Sequence, residues 1–172
     1  MIYIKELGLE ESEDIYYMIQ EIGVGQNGFV NSLFSNDLNE FNDKLTRYHE
    51  MSKGIGLSEG LVPQTIYWFY DENRLIGYGK LRHYLNEKLL EHGGHIGYII
   101  RPTERRKSYG KMVLRELLIK ANQKDIDKIL LTCNEDNMAS RKVIESNNGI
   151  LSETNDGICK YWIKSSSFSR TS

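Results

Sequence analysis

The chain has 172 residues, 40% hydrophobic and 27% charged, the composition of one globular domain large enough to bury a core. Lys plus Arg total 22 against 24 for Asp plus Glu, a formal charge of −2, so bulk charge does not attract the chain to nucleic acid or to an acidic membrane. Cys133 and Cys159 lack metal-ligand spacing, the opening Met1-Ile-Tyr-Ile-Lys-Glu6 does not read as a leader, and no apolar run approaches membrane-spanning length. The expectation is a cytoplasmic protein with reduced thiols, no metal, no nucleic acid and no membrane.

In chain order, Met1 to Glu6 reads as a strand. Leu9 to Ile22 reads as a helix, with Leu9, Ile15, Met18, Ile19 and Ile22 at helical spacing and acidic residues early. A Gly-, Asn- and Ser-rich loop runs from Val24 to Asp37, a second helix from Leu38 to Met51, and a loop with three glycines and Pro63 from Lys53 to Gln64. Thr65 to Tyr70 and Leu75 to His83 form a hairpin about Asp71-Glu-Asn-Arg74. Tyr84 to His92 is a short helix or ordered connection, and His95 to Arg101 a strand ended by Pro102. A helix from about Lys107 to Asn122 carries Tyr109, Val113, Leu114, Leu117, Leu118 and Ala121 on one stripe. Lys128 to Cys133 is a strand, Asn137 to Ser146 a helix, and Gly149 to Glu153 and Ile158 to Lys164 two closing strands. This order predicts an α/β (α+β) domain over residues 1–164, a central mixed sheet with helices on both faces, and a flexible tail at 165–172.

The most informative stretch begins at Gly94 and ends at Leu114: strand, basic turn, amphipathic helix. Arg101, Arg105, Arg106, Lys107 and Lys111 stand against Glu104, a local +4 in an acidic chain. Free N–H groups and the helix dipole favour an anion at such a corner, so the pattern points to a phosphate-bearing ligand.

The run Arg105-Arg106-Lys107-Ser108-Tyr109-Gly110 resembles the Arg/Gln-x-x-Gly-x-Gly/Ala turn of the GNAT N-acetyltransferases, with Ser108 where the family usually has glycine. Asn134-Glu-Asp-Asn137-Met-Ala-Ser140-Arg141 resembles the family's second cofactor segment. The resemblance covers nearly the whole chain. It implies a GNAT-like, mostly antiparallel sheet of about seven strands. It also implies acetyl-CoA as cofactor, held by Ile99, Ile100 and Arg101 along the strand, Arg105, Arg106, Lys107, Ser108, Tyr109, Gly110 and Lys111 at the turn, and Asn137 and Ser140 beyond it. The implied reaction is direct acetyl transfer to a primary amine of a small molecule or peptide. A backbone N–H on the splayed strand would hold the oxyanion.

Relatives often place a tyrosine seven residues after that asparagine to protonate the departing thiolate; here the position is Ile144, leaving Tyr109 and Tyr98 as substitutes. An alkylamine with pKa about 10.4 must lose a proton before attack. His95 is the first candidate base, with Glu91, His83 and His92 behind it. Asn27, Phe29, Tyr67 and Trp68 are the candidate acceptor liners. A second copy of the chain is a candidate partner. The rival function is a non-catalytic acyl-CoA binding or sensing module on the same fold.

Overall fold

A computed structural model of the chain describes residues 1–170. Strand β1 (Ile2–Glu6) leads to helix α1 (Glu13–Ile22), which begins four residues later than the periodicity predicts. The delay has a local cause: Glu11 turns its carboxylate back onto the Gly8 N–H at 2.6 Å and takes the Trp68 Nε1–H at 3.1 Å, leaving Leu9 exposed. The expected loop after α1 contains a small hairpin, β2 (Gly25–Gln26) and β3 (Phe29–Val30). Only glycine serves at residue 25, where φ is 125° and a Cβ would stand 2.1 Å from the Phe29 carbonyl oxygen. Helix α2 (Leu38–Met51) matches its predicted bounds. Asp37 accepts from the Glu40 N–H while the Glu40 carboxylate accepts from the Asn36 N–H, a reciprocal cap.

Strands β4 (Gln64–Asp71) and β5 (Arg74–Arg82) form the predicted hairpin. Helix α3 (Glu87–Glu91) precedes β6 (Ile96–Ile100), and helix α4 (Tyr109–Gln123) follows the basic turn. Then come β7 (Lys128–Asn134), α5 (Met138–Ser146), β8 (Ile150–Asn155) and β9 (Ile158–Lys164). The expected central sheet is present as two antiparallel sheets, four strands in the order β1-β4-β5-β6 and three in the order β7-β9-β8. They meet between β6 and β7. There the His95 N–H donates to Leu130 O at 2.8 Å, the Leu130 N–H to His95 Nδ1 at 2.9 Å and the Gly93 N–H to Thr132 Oγ1 at 2.9 Å. His95 lies beside Leu130 and Tyr98 beside Cys133, so the two strands run parallel, the mixed element of the prediction. Beyond His95 they share no ladder and diverge.

Two cores sandwich the first sheet. Tyr67, Phe69, Leu81 and Ile96 pack with α4 on one face; Ile66, Trp68, Tyr78 and Ile99 pack with α1 and α2 on the other. The predicted stripe of α4 is buried throughout. The segment expected to be a flexible tail is packed as far as it is described. Ser165 is buried and bonds Ile126 O, Phe168 is 4% exposed in the α4 core, and Arg170 pairs with Glu116. An aromatic ring in the last turns offsets the polarity of the serines around it. Residues 171 and 172 lie outside the described residues.

Candidate active site

Divergence of β6 from β7 opens a cleft of about 930 Å³. Which backbone groups face it follows from register. The Arg82 N–H donates to His95 O and the Arg101 N–H to Ile76 O, so the hydrogen-bonded pairs with β5 are 82/95, 80/97, 78/99 and 76/101. The N–H and C=O groups of Tyr98 and Ile100 therefore point away from β5, toward the gap. Of the strand residues predicted to hold cofactor, Ile100 keeps its N–H free there, its carbonyl being taken by Arg105; Ile99 spends its backbone groups on the ladder, as does the Arg101 N–H, while the Arg101 carbonyl accepts the Glu104 N–H. Arg101 also turns its guanidinium away from the cleft, onto Glu21 of α1 at 2.6 Å.

At the end of β6 the chain makes a 3₁₀ turn over Pro102–Glu104 and enters the basic corner. Arg105 Nε–H donates to Ile100 O at 3.0 Å and Nη1 to Gln26 Oε1, fastening the corner to β6 and to the β2–β3 hairpin. Arg106 and Ser108 both adopt φ of 63°. Serine thus occupies the left-handed position that glycine usually fills, at a cost of roughly 1–2 kcal/mol, and the turn keeps its shape. Ser108 gives α4 no side-chain cap, so the first-turn N–H groups at Tyr109, Gly110 and Lys111 have no partner within the helix. Lys107 is held by Glu104 at 2.8 Å, and Glu104 also meets Arg74. Arg106 is exposed beside the free N–H groups, and Lys111 lies outside the cleft lining. The corner can receive an anion through backbone donors with Arg105 and Arg106.

Across the gap stands the start of α5. Asn137 caps it, its Oδ1 accepting the Ser140 N–H at 3.2 Å, and both residues line the cleft. The Tyr98 hydroxyl meets Ser140 there, and burial pushes its pKa up to about 12. Ile144 presents only an apolar side chain to the same space.

The cleft continues past Gly97 to the other face of β6, under the β2–β3 hairpin. Asn27 and Phe29, the expected acceptor liners, line this end of the cleft. Asn31 pins the hairpin: its Nδ2 donates to Ile19 O at 3.0 Å and its Oδ1 accepts the Tyr78 hydroxyl at 2.5 Å. Lys80, only 9% exposed, lies under the Phe29 ring with Nζ 4.9 Å from its centroid. Burial, with the Arg82 charge beside it, pulls the Lys80 pKa down to about 8. Arg82 donates to Gly93 O and Gly94 O, and the buried Gln64 Oε1 has no partner. Lys80, Arg82 and Gln64 escaped the sequence reading. The available signal was a lysine and an arginine on the same side of a strand whose neighbour on that side, Tyr78, is core.

Several predicted site residues serve elsewhere. His95, 6% exposed, clasps the two sheets; Nδ1 is filled by the Leu130 N–H, and burial pushes its pKa from 6.5 down to about 4. Gly94 makes the clasp attainable, since at its φ of 63° a Cβ would stand 2.3 Å from Leu130 O. Glu91 is exposed at the end of α3, outside the cleft lining. Tyr109 points its hydroxyl away, donating to Asp71 Oδ2 at 2.9 Å and accepting from Arg74 at 2.7 Å, which commits it behind the turn. Alternation along β4 sends Tyr67 into the α4 core and Trp68 into the α1–α2 core, so neither lines the cleft. Of the other two histidines, His83 bonds Thr65 Oγ1 at 2.8 Å, while His92 is an exposed cleft liner.

The family described as Acetyltransferase (GNAT) matches residues 30–150. Among solved structures, the N-acetyltransferase PseH of Campylobacter jejuni, in complex with acetyl coenzyme A, superposes with a TM-score of 0.65 at 10% identity, covering 95% of this chain and 99% of that one. RimL, a ribosomal alpha-N-protein acetyltransferase in complex with coenzyme A, gives 0.70 at 14% identity over 95% and 93%. The spermidine/spermine N-acetyltransferase SpeG of Vibrio cholerae gives 0.62 at 15% over 98% and 97%. These likenesses establish the shared fold. Among curated protein sequences none matches significantly.

Proposed function

The chain belongs to the GNAT acetyltransferase family, and from that premise we propose how its own residues carry acetyl from acetyl-CoA to a primary amine of a small molecule or peptide. The reading rests on one observation: β6 leaves both Tyr98 backbone groups and the Ile100 N–H unpaired at a gap that ends in a turn of free N–H groups and arginines. That is the shape and charge of a site for an extended amide arm ending in a diphosphate. Arg105, Arg106 and the N–H groups of residues 109–111 would hold the phosphates. Tyr98 and Ile100 would pair with the arm as a strand edge, and Asn137 and Ser140 would bound it on the α5 side.

Bound acetyl-CoA supplies the activated acyl group. The strand-edge N–H at Tyr98 is aimed into the gap where the carbonyl oxygen gains charge. Gly97, without a side chain of its own, lets Phe29 and Lys80 pack close over β6, and the two reactants would meet beside it. The C–N bond forms as the C–S bond breaks, and the amine's proton leaves to water at the open acceptor end. Tyr98, whose raised pKa keeps it protonated through the neutral range, would give the departing sulfur its proton, the task Ile144 cannot perform.

PseH, RimL and SpeG are named for different substrates or none, so the fold leaves the acceptor open. No described helix is long and apolar enough to cross a membrane. We place the protein in the cytoplasm: Cys133 and Cys159 face each other across β7 and β9 as free thiols, an arrangement suited to a reducing compartment. Calorimetric titration with acetyl-CoA and a thiol-release screen against polyamines, amino acids, aminoglycosides and peptide N-termini test the reading. Binding without thiol release would favour the acyl-CoA sensing module instead, and absence of binding would end both.

A further inference from the structure

The acceptor end holds more positive charge than its protein neighbours neutralise. Lys80 and Arg82 project from the same side of β5, and among the described residues neither has a carboxylate partner. Lys88 and His92 stand at the rim. One carboxylate lines the cleft, that of Glu104, and it is already shared by Lys107 and Arg74 at the cofactor corner. A buried ammonium with no counter-ion is costly, because the site forfeits the water that would solvate it and returns no opposite charge. The depressed Lys80 pKa is the signature of that cost.

We propose, building on the acetyltransferase reading above, that the acceptor is an amine carrying a carboxylate or phosphate a short chain away, with Lys80 and Arg82 binding the anion. The geometry fits a small molecule. Lys80 is the cross-strand partner of Gly97, its Cε 3.5 Å from where a Cβ on Gly97 would stand, so the anion site lies next to the point where acyl group and amine must meet. Phe29 roofs the site and makes it drier, which strengthens every charge contact inside it. A polyamine meets the opposite situation: each added positive charge is brought against Lys80 and Arg82 with no carboxylate to receive it. Acceptor selection is then largely exclusion of cations.

Three amines of matched reach separate the cases: γ-aminobutyrate, n-butylamine and putrescine, compared by thiol release from acetyl-CoA, with acetyl-CoA binding measured in parallel by calorimetry. The expected order of kcat/KM is anionic over neutral over cationic, by about tenfold or more between the ends. β-Alanine against O-phosphoethanolamine then distinguishes carboxylate from phosphate. Lys80→Met should raise KM for the anionic amine by about tenfold and flatten the order, and Lys80→Arg, which keeps the charge but is too basic to take a proton, should restore it. Putrescine accepted as well as γ-aminobutyrate overturns the proposal, as does acetyl-CoA binding with no anionic amine turned over. A Lys80→Arg variant as impaired as Lys80→Met also overturns it, since the lysine would then be acting through its free base. Failure to bind acetyl-CoA at all strikes the underlying enzymatic reading.

Discussion

The two ends of the cleft are built from different materials. The cofactor corner is made of backbone: N–H groups at the start of α4, strand-edge groups of β6, and two arginines, all within residues 98–110. The acceptor end is made of side chains from β4, β5 and the β2–β3 hairpin, brought together only by strand pairing. A backbone site tolerates sequence change because any residue able to take the right dihedrals supplies the same N–H. Ser108 and Arg106, both left-handed, illustrate this. A side-chain site has no such tolerance, and the identity of Lys80 decides what enters.

The contrast can be tested from the strongest effect down. Removing both guanidinium groups of the backbone corner, Arg105→Ala with Arg106→Ala, should weaken acetyl-CoA binding on the order of a thousandfold at low salt, less as salt is added. Calorimetry checks this, and an unchanged Kd would mean that the corner does not grip phosphate. Next is the clasp between the two ends. His95 titrates near 6.5 when unfolded and near 4 when folded. Between those values the unfolded chain binds the extra proton, so stability is full above pH 6.5 and falls as the pH drops toward 4, by about 3 kcal/mol. Urea unfolding at intervals across that range should show the loss. His95→Gln, which can still accept from Leu130 but cannot titrate, should flatten this part of the profile.

A smaller effect is expected at Tyr98. Replacement by Phe keeps the backbone donor and removes the hydroxyl, so kcat should fall about tenfold with acetyl-CoA affinity unchanged. Equal losses in both would make the hydroxyl a binding group. The smallest effect is Ser108→Gly: relief of the left-handed strain, offset by the greater freedom of the unfolded chain, should stabilise by under about 1 kcal/mol with little change in cofactor affinity. Thermal unfolding reads it, and a large affinity change would show that the serine hydroxyl contributes to binding.

What could be read from sequence divides along the same line. The strand, basic turn and helix around Gly110 were legible because everything that makes them lies within one contiguous run. The stripe of α4 and the bounds of α2 follow from local spacing and capping for the same reason. Register was not legible. Whether Tyr98 and Ile100 or Ile99 and Arg101 face the gap depends on the pairing with β5, and a shift of one residue exchanges them. His95 read as a base because it sits on the cofactor strand, but its role is set by Leu130, thirty-five residues away. Tyr67 and Trp68 fall on opposite faces of one strand, and both of those faces are core, so aromatic content alone could not place them at a surface. Lys80 became interpretable only once the hairpin was seen to roof it.

That hairpin touches both ends at once. Gln26 holds Arg105, and three residues later Phe29 covers Lys80. Phosphates that engage Arg105 compete with Gln26 for the same guanidinium, and the strap over the acceptor pocket is only two residue pairs wide. Occupancy at one end therefore changes the restraint on the other. Initial-rate kinetics should accordingly show a compulsory sequence of addition, the thioester first and the amine second, and dead-end inhibition by desulfo-coenzyme A should be competitive against acetyl-CoA and noncompetitive against the amine.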